Sequence, residues 1–314
     1  MATVLLSHPS FIDHDTGTGH PERADRMRAI SKVLDHEFYQ ALVRKEAPLR
    51  DDDATYIVKA HSAKHLENTR RVAAGLTSGS THIDGDTVAS PGTWQAARRA
   101  VGAGLDAVDL VMTNGAANVF CQVRPPGHHA ETDKAMGFCL FNNIAIAAHY
   151  AREKHGAERV AVIDFDVHHG NGTQEIFWSD KNLFYGSTHQ MPLFPGTGAL
   201  SETGVGNIFN APMRYGDGRE PFEDAFTERI LKPLHNFAPD LVLISAGFDA
   251  HRDDPLGGME LVEADYIWAT EKLAEVARTH AKGRIVSMLE GGYNLTALAR
   301  SVAVHVKTLM EAGN

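Results

Sequence analysis

Short runs of β-branched and aliphatic residues alternate along the chain with longer segments in which apolar residues recur every three or four positions. Val119–Val123, Val160–Ile163, Leu183–Tyr185, Leu241–Ile244 and Ile285–Leu289 read as buried strands, with Val4–Ser7 a weaker one. Ala24–Leu34, Ala63–Leu76, Thr93–Met112, Asn142–Lys154, Phe222–Phe237, Glu263–His280 and Leu295–Met310 carry the helical period. This alternation predicts a mostly parallel central sheet with helices on both faces. No repeat, low-complexity tract or Pro/Ser-rich linker interrupts it, so residues 1–314 are expected to form a single α/β domain. Ser187–Asp217, rich in Gly and Pro, is expected to be a long loop that takes part in the site.

Composition narrows the class. With 43% hydrophobic and 22% charged residues the chain is of globular type, which excludes disordered, collagenous and coiled-coil readings. Lys plus Arg number 30 against 40 Asp plus Glu, and the net charge of −10 repels nucleic acid and suits cationic small molecules or peptides. Only Cys121 and Cys139 are present, outside any CxxC pair, which points to a reducing, cytoplasmic compartment. The apolar run Val4-Leu5-Leu6 is too short for a signal peptide, and no stretch approaches the roughly 18 apolar residues of a membrane helix. A soluble chain, compatible with a homo-oligomer, is expected. Of the 18 histidines, His36, His149, His235 and His280 lie in charged helical surroundings and read as surface residues.

The chemistry gathers where strands end. In open α/β sheets ligands bind beyond the carboxyl ends of the strands. Four such ends carry Arg124-Pro-Pro-Gly-His128-His129, Asp164-Phe-Asp166-Val-His168-His169-Gly170, Ser245-Ala-Gly-Phe-Asp249 and Glu290-Gly-Gly-Tyr293. Asp164, Asp166 and His168 occupy alternate positions, so an extended backbone would turn all three to one side. Carboxylates packed against apolar strands are costly unless a cation neutralises them, and oxygen plus imidazole donors suit zinc. Asp166, His168 and Asp249 would supply three protein ligands and leave a fourth position for water or substrate. Taken singly, the aspartates could be caps, the histidines satisfied core residues and Tyr293 a buried tyrosine; the coincidence of four loaded strand ends favours a site. Nucleophile-elbow, phosphate-loop, dinucleotide and His-Glu-x-x-His motifs are absent.

Together with His20-Pro-Glu-Arg23, Gly137-Phe138-Cys139, Phe194-Pro-Gly-Thr-Gly198 and Asp254-Pro-Leu-Gly-Gly258, these motifs resemble the zinc-dependent histone deacetylase family, in that family's order and over nearly the whole chain. The likeness is greatest to its class II branch and the bacterial histone deacetylase-like amidohydrolases. The resemblance implies an arginase-like α/β fold and zinc held by Asp166, His168 and Asp249. It implies His129 as general base and acid, backed by Asn171 where class I has Asp, and His128 as an electrostatic partner paired with Asp164. Tyr293 would donate to the oxyanion. A structural potassium ion would sit near Asp164, Asp166, His168, Ser187 and Thr188. Gly137, Phe138, Phe194 and Leu256 would line the acyl-lysine tunnel, and Thr87 would contact the substrate amide. The implied activity is removal of acetyl or a similar acyl group from lysine side chains of a peptide or protein. An acetylpolyamine deacetylase on the same scaffold is the main rival; an arginase-like dimanganese ureohydrolase and a non-catalytic acyl-lysine binding module are weaker ones.

Overall fold

The computed structural model describes residues 1–313. Eight parallel strands form one twisted sheet in the order β2-β1-β5-β10-β9-β6-β7-β8: β1 Thr3–Ser7, β2 Val43–Glu46, β5 Asn118–Cys121, β6 Val160–Asp164, β7 Leu183–Gln190, β8 Ile208–Met213, β9 Leu241–Ala246 and β10 Ile285–Leu289. A two-residue hairpin, β3 Thr81–His82 and β4 Val88–Ala89, stands apart. The central strands β5, β10, β9 and β6 are buried along their whole length, as continuous apolar runs require when helices cover both faces. The helices Thr93–Met112 and Asn143–His155 pack on each other, as do Glu263–His280 and Leu295–Gly313, and the last also packs on Asp25–Leu34.

The single α/β architecture is as read from the sequence, with several local corrections. Edge strand β2, Val-Arg-Lys-Glu, is solvent-exposed throughout and has no apolar alternation to reveal it. The expected loop Ser187–Asp217 is partly sheet: β7 continues to Gln190 and β8 lies within the stretch, so Ser187 and Thr188 are buried strand residues. The polar run Ser187-Thr188-His189-Gln190 hid the end of β7, although all four are buried. The short helices Ser10–Asp13, Asp53–Ala60 and Asn171–Phe177 were also unmarked. The Phe222–Phe237 helix starts at Arg219 and carries a π-helical turn over Phe226–Leu231. His36 and His235 are exposed as expected, but His149 is mostly buried beside Phe177, and burial lowers its pKa to about 4.

Candidate active site

The expectation that Asp164, Asp166 and His168 share one extended backbone fails, because β6 ends at Asp164. The chain then coils so that each carboxylate caps the amide two residues on: Asp166 N–H donates to Asp164 Oδ1 (3.1 Å) and His168 N–H to Asp166 Oδ1 (2.9 Å). Asp164 therefore faces His128, while Asp166 and His168 face Asp249 from the end of β9. Donor atoms of Asp166, His168 and Asp249 all lie within 4.8 Å of one another. His168 Nδ1 stands 3.1 Å from Asp166 Oδ1 and 3.2 Å from Asp249 Oδ2. Glycine is demanded beside this cluster, since a Cβ on Gly291 would fall 2.1 Å from Asp249 Oδ2.

The electrostatics of the three residues call for a cation. Burial, reinforced by the Asp166 carboxylate, raises Asp249 to about 7. Burial opposes charge on His168, yet its bonds to Asp166 and Asp249 prevail and push it up to about 10. Two buried carboxylates with one imidazole thus fit a divalent ion chemically, and among the described residues no other such cluster of acids, histidines or cysteines occurs.

The paired imidazoles sit beside the cluster with ring centroids 4.0 Å apart. His128 Nδ1 bonds Asp164 Oδ2 at 2.9 Å, and the Tyr185 hydroxyl donates to that same oxygen at 3.0 Å. Burial disfavours the imidazolium of His128, but Asp164, Asp166 and Glu290 outweigh it and raise His128 to about 10. His129 Nδ1 faces Asn171 Oδ1 at 2.8 Å, and burial together with the neighbouring His128 charge holds His129 well below the usual imidazole range.

Above them opens a cavity of about 270 Å³ lined by Asp86, His129, Gly137, Phe138, His168, Leu193, Phe194, Leu256 and Tyr293. The expected tunnel residues Gly137, Phe138, Phe194 and Leu256 are thus brought together with Tyr293. Phe138 holds φ +68°, a left-handed conformation uncommon for a bulky side chain, and its N–H donates to Thr87 Oγ1 (3.1 Å). Thr87 is buried with its hydroxyl engaged by that amide, and its neighbour Asp86 lines the cavity. Asp254 accepts from the Tyr293 and Asn294 amides (2.6 and 3.1 Å), and the Arg26 guanidinium lies 5.2 Å over the Tyr293 ring. Burial raises the Tyr293 phenol well above its usual range, so it stays protonated and able to donate.

Several supporting residues escaped the sequence reading. Glu290 was seen only as part of a motif, yet its carboxylate accepts from the Gly127 and His128 amides (2.7 and 3.2 Å) and from Ser245 Oγ (3.1 Å), tying β10 and β9 to the imidazole turn. Arg124 and Arg26 share the buried Glu22. Glu131 sits behind Asn171. Their signal was present as charged residues flanking motifs, but partners so distant in the chain are joined only by the fold. Ser187 lies directly across from Asp164 on β7.

This fold and site define a hydrolase of the deacetylase type, built at one end of a parallel α/β sheet. Residues 20–309 match the family model described as Histone deacetylase domain, and the chain belongs to the histone deacetylase family. It is 42% identical over 317 residues, spanning 99% of this chain and all of the relative, to an uncharacterized protein of Synechocystis. It is 35% identical to the histone deacetylase-like amidohydrolase of Pseudomonas aeruginosa, over 93% of this chain and 77% of that protein. The crystal structure of the HDA15 HD domain superposes with a TM-score of 0.92 at 35% identity, covering 99% of this chain and 91% of that one. Membership supports a deacetylase activity in general.

Proposed function

We propose that this protein is a zinc-dependent deacetylase that hydrolyses the amide of N-acetyl-lysine side chains. The observation that carries the reading is the junction of the Asp166–His168–Asp249 cluster with a narrow, aromatic-walled cavity that Tyr293 and His129 also line. Phe138 and Phe194 suit the methylenes of an extended lysine chain, and the apolar Leu256 at the same cavity favours them over a second ammonium. Asp86 offers an acceptor for an amide N–H of the substrate backbone.

Asp166, His168 and Asp249 would hold zinc, which when bound polarises an amide carbonyl and acidifies a water. His129, neutral and with its Nδ1 side committed to Asn171, has the free basic nitrogen needed to take a proton from water and return it to the departing amine. His128, held as imidazolium by Asp164, supplies fixed positive charge beside it without exchanging protons near neutral pH. Tyr293 donates its hydroxyl proton in a hydrogen bond to the charge that develops on the acyl oxygen. A potassium ion near Asp164, Asp166, His168, Ser187 and Thr188 belongs to the same proposal; it is supported by the buried Ser187 set across from Asp164.

Turnover of acetyl-lysine peptides by the zinc-loaded protein, measured beside N-acetylputrescine, tests the reading. Preferred release of acetate from the peptide is expected. A strong preference for the polyamine would transfer the assignment to polyamine deacetylation, and inactivity on both with zinc bound would refute it.

A further inference from the structure

An asparagine behind a catalytic imidazole leaves its orientation undetermined, because the oxygen and nitrogen of an amide can exchange places. Here something decides. Asn171 Nδ2 lies 2.7 Å from Glu131 Oε1, with Met136 Sδ and the His129 carbonyl oxygen at 3.4 Å each on the same side. An ionised carboxylate can only accept, so the NH₂ end of Asn171 must face Glu131 and its oxygen must face His129. That oxygen can in turn only accept, so His129 must carry its proton on Nδ1, 2.8 Å away. The other ring nitrogen is then left with a free lone pair on a ring that lines the cavity.

We propose that Glu131 is a positioning residue: through Asn171 it sets the tautomer of His129 and so keeps the imidazole ready as a base. The inference rests on the deacetylase reading for its catalytic consequence, but not for the tautomer itself. Glu131 is well placed for the task. Its own carbonyl accepts from His61 Nδ1 (2.9 Å) and its amide and carbonyl pair with Lys134, so the backbone is fixed at both sides. Asn171 is buried and begins the helix Asn171–Phe177, which fixes the second member. The arrangement restores, one residue removed, a negative charge behind His129 where His128 has Asp164 in direct contact.

The test compares Glu131→Gln and Glu131→Ala with the parent, all zinc-loaded. In histidine-labelled protein, long-range proton–nitrogen correlation spectra read the tautomer of His129 directly. The parent is expected to show protonated Nδ1 only, and Glu131→Ala a mixture in which the other nitrogen is partly protonated. Glu131→Gln can still accept through its side-chain oxygen and is expected to keep most of the parental tautomer. With an acetyl-lysine peptide, Glu131→Ala should lose about ten- to a hundredfold in kcat, the usual cost of removing an outer partner, with KM within about twofold, and Glu131→Gln should recover most of the loss. A single Nδ1–H tautomer in Glu131→Ala would overturn the proposal, as would equal losses in both variants that follow lost zinc or lowered thermal stability. If the parent proves inactive on every acylated lysine while its His129 shows the expected tautomer and Glu131→Ala the mixture, the deacetylase reading fails and the orienting role stands.

Discussion

His128 and His129 are neighbours in sequence, with ring centroids 4.0 Å apart and both buried, yet they are driven in opposite directions. His128 meets a carboxylate directly and is raised to about 10, whereas His129 meets an amide and is held well below the usual range. The difference teaches that burial alone does not decide the charge of a histidine. It sets a neutral default, and an adjoining carboxylate must overturn it. Two identical side chains thereby become a fixed cation and a neutral base, the separation that acid–base chemistry near pH 7 needs.

Removing the rings one at a time breaks the comparison most severely. His129→Ala is expected to lower kcat/KM by about 10²–10⁴-fold, the usual contribution of a general base. His128→Ala, which removes charge but no proton carrier, should lose less by at least about tenfold; equal losses would erase the division of roles. Next in size is Tyr293→Phe, which keeps the ring beneath Arg26 but deletes the hydroxyl of a residue that lines the cavity beside His129. Its kcat should fall by about 10²–10³-fold with metal content unchanged. Substitution at the cavity rim leaves the pair untouched and serves as a contrast. Asp86→Asn is expected to raise KM for acetyl-lysine peptides by about tenfold, as loss of a charged acceptor would, with kcat nearly preserved.

The contrast also has a counterpart far from the site. His305 on the last helix is fully buried between Thr270 Oγ1 (2.7 Å) and Ser287 Oγ (2.8 Å), with no acid in contact, and burial lowers it to about 3. It obeys the neutral default. Because its pKa is lower folded than unfolded, the unfolded chain binds the extra proton between about pH 3 and 6.5. The stabilisation from keeping this ring neutral is complete above about pH 6.5 and is lost as pH falls toward about 3. His305→Gln should therefore flatten the decline of unfolding free energy on acidification by up to about 1.4 kcal/mol per pH unit. Urea titrations at several pH values would read the slope, and an unchanged slope would show that the ring is not kept neutral by its burial.

These contrasts were unequally legible in the chain. The strand ends announced themselves because a buried parallel strand is an uninterrupted apolar run, so the first polar residues after it stand out: Asp164, Asp166, His168, Asp249 and Tyr293 were all found that way. The direction each imidazole is driven was half legible, since the pairing of His128 with Asp164 and of His129 with Asn171 could be read only through the family resemblance. What stayed hidden depends on side-chain partners remote in sequence. Glu290 reaching the Gly127 amide, Asp254 reaching that of Tyr293, and Glu131 behind Asn171 follow no period and no spacing. Thr87 and Asp86 show a finer limit. One residue along a turn exchanges a cavity-facing side chain for one beneath it, and sequence does not resolve that step.

The central claim is that two carboxylates and one imidazole clasp a single zinc ion at the sheet's end. Metal analysis of the purified protein after exposure to zinc and desalting tests it directly. The account predicts about one zinc per chain in the parent, retained in His128→Ala and Tyr293→Phe and lost in Asp249→Ala, with each variant still folded. A parent that keeps no zinc while folded, or an Asp249→Ala variant that binds it as tightly as the parent, would contradict the account.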